Sequence, residues 1–518
     1  MSRTRIVKGT YTKISAKGHS MYSNESIITT ATNFVTEEGT ENGLSIGLPK
    51  SAPKLEYTDE PDFDIELELI EKDFVPLGVP DYKGNPENDK IQFELTVKGK
   101  GINQWNLMIK NGDAILYESF SSSREIQEVV VTAKSKNPKA KSEGSKDLPP
   151  IVVKRFWPAG KYILSWTGFD KNGIYDSTIL KSEKGLTVSI VGQAEFKKKT
   201  VEIEKPIKFT HKEVDWVDVR IDKKNKKIDT TLRVNLKDGG EEGLSCKTIG
   251  PNAFEPSMQE ITVCDWDNIP KSDLKPNKPI IKQRTRRFAD LENLAFDGLR
   301  KYWSRSSTNG LSLGKFVNIN YEQYQADIIP VASEANAMNS LPLVFNTNKS
   351  WMRSGNPGGS YADGNLDDNF MDSIPDTGII QRLSYNVGYI YEYHYTKTWE
   401  YQDEKNEDEE FKETAAHELG HEILQAYSGT IYSWQHKGSS YYFPQDTKPT
   451  KSNETIVEKI THWDEMDTHG ENYPQSKSDE IDLMKYYNNE PRQKDQSRIV
   501  AAEKDVLGLI WLTKLCIK

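Results

Sequence analysis

Phe411-Lys412-Glu413-Thr414-Ala415-Ala416-His417-Glu418-Leu419-Gly420-His421-Glu422-Ile423-Leu424-Gln425-Ala426-Tyr427 decides how the C-terminal half of this chain is read. Ala416, Leu419, Ile423 and Tyr427 recur at spacings of three and four, the stripe of a helix that buries one side. The acidic run from Asp403 to Glu410 precedes it, and early carboxylates favour the positive end of a helix dipole. Gly429 follows and suits a C-terminal cap.

On such a helix His417 and His421 stand one turn apart on the same face. Two imidazoles so placed can share one tetrahedral zinc ion. Glu418 projects beside them and is not a ligand in this reading. It is placed to take a proton from water on the metal, whose pKa the ion brings down to about 7. The chain has 8 histidines in 518 residues, so chance produces a His-Glu-x-x-His string with a probability of roughly 1%. The bland alternative is two surface histidines paired by helical accident.

A third ligand must come from farther along. His436, in Tyr432-Ser433-Trp434-Gln435-His436-Lys437-Gly438, lies a short loop beyond Gly429 and is the first choice. Glu454 and Glu458, on the next expected helix, are the rivals. His462 and His469 fall in an acidic, turn-like stretch, His394 in an alternating aromatic strand that reads as packing, and His19 and His211 in distant segments.

Composition bounds the rest. Apolar residues make up 36%, charged residues 28% and aromatics 10%, the profile of a polar but folded multidomain chain. A net charge of -10 disfavours a general nucleic-acid binder. No apolar run reaches the length of a membrane span; Val506 to Ile517 is short and broken by Lys514. Met1-Ser2-Arg3-Thr4-Arg5 lacks the apolar stretch of a secretory leader, so the expectation is a cytoplasmic protein or one exported without a cleaved signal. Cys246, Cys264 and Cys516 form no Cys-x-x-Cys pair, which excludes a thiolate zinc knuckle. Cys246 and Cys264 read equally as a disulfide or as two free thiols.

Four segments are expected. Residues 1–55, rich in Thr, Ser and Gly and ending at Pro49 and Ser51-Ala52-Pro53, form a β-rich leader. Residues 56–200 alternate, as in Asp64-Ile65-Glu66-Leu67-Glu68-Leu69-Ile70 and Lys90-Ile91-Gln92-Phe93-Glu94-Leu95-Thr96-Val97, and predict an Ig-like β-sandwich. Its stretch from Trp157 to Gly173 resembles Ig-like modules of flagellar hook-capping proteins at motif level. There Asp170, Asn172 and Asp176 read as turn chemistry before calcium ligands. Residues 201–285 predict a second β module, closed by Pro276, Pro279 and the basic run Lys282 to Arg287. From 286 to 518 the grammar becomes α+β. An amphipathic helix carries Phe288, Leu291, Leu294, Ala295, Leu299 and Trp303; strands follow at 315–320, 341–345 and 385–395, then the histidine helix. A last helix is expected over 497–515. Between the strands, Asp363, Asn365, Asp367 and Asp368 read as a solvated loop before a calcium site.

With these residues in view, the C-terminal region resembles the zincin metallopeptidases, nearest to the metzincins. The resemblance implies an α+β catalytic domain, a Zn2+ cofactor, a protein or peptide substrate, His417, His421 and His436 as ligands, and Glu418 as general base. It also implies roles within Glu480-Ile481-Asp482-Leu483-Met484-Lys485-Tyr486-Tyr487: Met484 as an apolar floor under the metal and Tyr486 as a stabiliser of the oxyanion. The chain departs from metzincins three and six residues after the second histidine, where their Gly and His are replaced by Leu424 and Tyr427. The leader, with Arg5-Ile6-Val7-Lys8-Gly9 and Lys13-Ile14, resembles the start of proteins associated with type VI secretion in Bacteroidota. That implies an exported effector with a secretion-apparatus carrier and an immunity protein. A cell-wall peptide hydrolase, or a non-enzymatic spike or adhesin component with a structural zinc, are the competing expectations.

Overall fold

The computed structural model describes residues 61–70, 73–121, 157–194, 197–348, 382–392, 398–429, 433, 480–484 and 496–517. The chain divides into two compact units, Met1–Pro61 and Asp62–Lys518, and every described element belongs to the second. The leader expected over 1–55 lies outside the described residues.

Alternation builds the first layers. In β1 (Phe63–Leu69) and β2 (Ile91–Gly99), Phe63, Ile65, Leu67, Ile91, Phe93, Leu95 and Val97 are buried while the charged residues between them point outward. Strands β3 (Gln104–Asn111), β4 (Ala114–Phe120), β5 (Gly160–Trp166), β6 (Thr187–Ala194) and β7 (Lys197–Glu202) complete two antiparallel sheets, ordered β1-β2-β5 and β4-β3-β6-β7. The sheets meet where β6 carries Gly192: a Cβ there would lie 3.1 Å from Ile65 Cδ1 and 3.4 Å from Phe63 Cε2. Trp105, Trp157 and Tyr162 pack edge to face in this core.

β8 (Val217–Asp222), β9 (Lys227–Val234) and β10 (Leu236–Glu242) come next, followed after a gap by α1 (Phe288–Trp303), β11 (Glu322–Ala332) and β12 (Leu341–Thr347). β9 runs parallel to β11, from Lys227 opposite Gln325 to Val234 opposite Ala332. One residue on, β10 runs parallel to β12. Two ladders of main-chain hydrogen bonds therefore cross residue 285, where the prolines and basic run predict a module boundary. Strands from both sides share the same sheets. β12 continues parallel to β13 (Leu383–Glu392), and β14 (Thr398–Gln402) pairs antiparallel at the edge.

Asp403 then caps α2 (Glu404–Ser428), its side chain accepting from Asn406 N at 3.2 Å. The acidic stretch lies within the first turns of this helix. α1 lies across α2 at Gly298, where any Cβ would collide with the main chain of Lys412. Trp303 Nε1 fastens the crossing by donating to the Ala416 carbonyl at 3.0 Å. The last helix, α3 (Glu503–Trp511), is shorter than the span of 497–515 that the sequence predicts. Its expected ends are drawn into strands: Ile499–Val500 pair in parallel with Ile481–Asp482, and β15 (Leu515–Ile517) lies between Phe209–His211 and Asp73–Phe74. Lys514 Nζ reinforces this closure through Glu87 Oε2 at 2.8 Å.

Cys246 and Cys264 form a disulfide across an exposed hairpin, and Cys516 is free. Asp170 Oδ1 accepts from the backbone N–H groups of Asn172 and Ile174, both at 2.8 Å, and Asp176 accepts from Thr178 N, so these carboxylates are spent on a turn and a cap. The loop carrying Asp363 lies outside the described residues. Among the described residues, no helix is long and apolar enough to cross a membrane.

Candidate metal centre

The stripe Ala416, Leu419, Ile423 and Tyr427 is buried, as the spacing predicts, and α2 ends at Gly429 with φ +93. That backbone conformation costs glycine little and a side-chain-bearing residue more. Ser433, fully buried, sits against His421.

His417 and His421 lie edge to face with ring centroids 5.1 Å apart. Two imidazoles on one tetrahedral zinc, with Zn–N of about 2.0–2.1 Å, place their centroids about 5 Å apart, so this pair has suitable spacing. Their protonation suits it too. His417 Nδ1 lies 2.8 Å from the Leu483 carbonyl oxygen, which can only accept, so Nδ1 carries the hydrogen and Nε2 the lone pair. His421 Nδ1 lies 3.1 Å from Ser433 Oγ. That hydroxyl already donates its hydrogen to the His421 carbonyl at 2.7 Å, so it accepts from Nδ1–H. Both rings thus keep Nε2, the nitrogen farther from the helix, as the donor atom. Burial pushes the His421 imidazole down to about 4, which keeps the ring neutral at neutral pH, as a metal ligand must be.

The Leu483 carbonyl is held firmly. Ile481–Asp482 pair with Ile499–Val500, Leu483 N donates to Val500 O at 3.0 Å, and Asp482 Oδ1 accepts from Met484 N at 3.0 Å. The same turn drives Met484 under α2: a Cβ on Gly420 would fall 2.5 Å from Met484 Sδ and 2.8 Å from Trp303 Cζ2. Gly420 is therefore the gap in the helix that a sulfur and an indole fill, between the two histidines. Glu418 is half-buried beside them. Glu422, one turn on, accepts from Asn339 N at 2.9 Å, and burial holds its carboxyl above the usual range.

Tyr427, where metzincins have their third histidine, packs against Trp511 with centroids 5.5 Å apart and fills the space left by Gly508. Leu424 is buried as well, so the helix runs on through the point where the metzincin chain turns. His436, Glu454, Glu458, His462, His469, His394 and Tyr486 lie outside the described residues. Among the described residues, no three His, Cys, Asp or Glu side chains cluster as a ligand set. His211 stands apart, beside Lys181 and Asp218.

Sequence reading misses Ser433 and the Leu483 carbonyl. Ser433 leaves a faint signal, a small hydroxyl residue four positions past a glycine cap. Asp482, two positions before Met484, marks an Asx turn; the carbonyl itself leaves no trace in side-chain pattern. No family model, no curated protein and no solved structure matches this chain.

Proposed function

We propose that this chain is a zinc-dependent peptide hydrolase, with a zincin-like α+β catalytic part behind β-sandwich modules. The observation that carries the reading is the pair of acceptors, Leu483 O and Ser433 Oγ, which set both histidines of a His-Glu-x-x-His helix in the tautomer a metal requires. His417, His421 and His436 hold the ion. Support for His436 over Glu454 and Glu458 is connectivity. Three residues span at most about 11 Å, and Ser433, three residues before His436, is already against His421.

A bound zinc supplies Lewis acidity toward a peptide carbonyl and acidifies water. Glu418 takes the proton from the attacking water and returns it to the leaving nitrogen. Tyr486 donates a hydrogen bond to the developing oxyanion. Met484 closes the apolar floor under Gly420. The substrate is a protein or peptide. Export as an effector, with a secretion carrier and an immunity protein, is supported by the leader's resemblance and by the Cys246–Cys264 disulfide, which fits an oxidising compartment.

The test is hydrolysis of unfolded protein substrates and of purified cell-wall sacculi by the zinc-loaded chain, its chelator-treated form and Glu418→Gln. Cleavage of protein that is lost with chelator and falls about 100- to 10,000-fold in Glu418→Gln, with zinc content unchanged, is the expected result. Activity indifferent to chelator or to Glu418→Gln overturns the reading. Turnover of sacculi alone transfers it to cell-wall peptides, and four protein ligands with no activity leave a structural zinc.

A further inference from the structure

The two histidines are aimed by different kinds of group. His417 is held by a main-chain carbonyl that no substitution removes, and His421 is helped by a side-chain hydroxyl, that of Ser433. The Ser433 hydroxyl bonds twice to the same residue, donating to the His421 carbonyl at 2.7 Å and accepting from its Nδ1–H at 3.1 Å. The pair is closed to solvent, with Ser433 0% and His421 5% exposed. Loss of the hydroxyl would remove the acceptor at Nδ1 and favour movement of the ring hydrogen to Nε2, the atom that should face the metal.

Resting on the zinc reading above, we propose that Ser433 is a positioning residue for the metal. The bond it sends into the helix backbone fixes its own hydroxyl hydrogen, and that orientation dictates which nitrogen of His421 is the donor. A group that only accepted from Nδ1 could rotate away. One that only donated would force the wrong tautomer. Ser433 is also tied to the end of the helix, its N–H donating to the Gly429 carbonyl at 3.2 Å. Helix end, hydroxyl and ligand thus form one connected device. Threonine keeps the hydroxyl. Alanine removes it, and cysteine fills the space with a weak donor and acceptor.

The test uses the full chain and zinc ion alone, titrated against a competing chelator, with cobalt(II) as a spectroscopic stand-in. Ser433→Ala and Ser433→Cys should weaken zinc binding about 10- to 100-fold and shift the visible cobalt bands. Ser433→Thr should restore the affinity to within about threefold. Thermal midpoints of the metal-free variants separate this from a packing defect. If Ser433→Ala does not fold, the Cys and Thr pair decides. Zinc binding by Ser433→Ala or Ser433→Cys equal to wild type, in a chain that loses zinc on His421→Ala, overturns the role of Ser433 and leaves the zinc reading standing. A wild-type chain that takes up no zinc overturns both.

Discussion

α1 and α2 cross at Gly298 and share the Trp303–Ala416 hydrogen bond, yet they bury different things. The buried face of α1 is Leu291, Ala295, Phe296, Gly298, Leu299, Tyr302 and Trp303, with no ionisable group except one phenol. That of α2 includes Glu407, His417 and His421 among its apolar residues. Burying an ionisable group costs stability that a leucine in its place would add. The first helix holds the fold together, and the second spends part of that stability on a preset pair of imidazoles.

This contrast can be broken at several points. The largest effect is expected for His417→Ala, which should weaken zinc binding on the order of 1000-fold or more while barely moving the thermal midpoint of the metal-free chain. Calorimetric titration beside a melting curve measures both; a metal-free chain that unfolds on this substitution makes α2 as structural as α1. Leu299→Ala should do the reverse, costing about 2–5 kcal/mol in denaturant unfolding with zinc affinity nearly unchanged. Gly420→Ala sits between them. The new methyl must displace Met484 and Trp303, at about 1–3 kcal/mol, and should disturb the proposed metal site as well. Zinc affinity equal to wild type there removes Met484 from the site.

A further effect is on pH. Burial holds His421 at about 4, and burial followed by the Lys181 charge does the same for His211, against a reference value of 6.5. Between those values the unfolded chain binds protons that the fold refuses. The metal-free protein should therefore lose stability as pH falls from 6.5 toward 4. His211→Gln should flatten that slope in part, and α1, which has no histidine, should contribute nothing to it. A flat profile in wild type contradicts the burial of both rings.

Local periodicity made much of this legible. The spacing of Leu291, Ala295 and Leu299 predicts α1, and α1 occupies Phe288–Trp303. Alternation from Asp64 to Ile70 and from Lys90 to Val97 names the inward faces of β1 and β2, although β1 begins at Phe63 and Ile70 lies exposed beyond its end. His417, Glu418 and His421 stand out because their spacing matches one helical turn. What stays hidden joins distant parts of the chain. The parallel ladders of β9 with β11 and β10 with β12 leave no mark in either strand's own pattern, so the prolines near 280 read as a boundary. The Leu483 carbonyl is invisible because a main-chain acceptor has no sequence signature. Val500 and Leu515 fit a helical stripe, yet tertiary pairing makes them strands.

The seating of β15 between Phe209–His211 and Asp73–Phe74 sets a clock. Lys514 meets Glu87 across 427 positions of sequence, so a ribosome must deliver nearly this whole stretch before two early strands find the partner they share. Until then their edges stand open to the wrong neighbours. Maturation of the histidine helix, braced by α3 just upstream of that strand, belongs to the same late moment, and a nascent chain stalled before Leu515 would be a half-closed clasp.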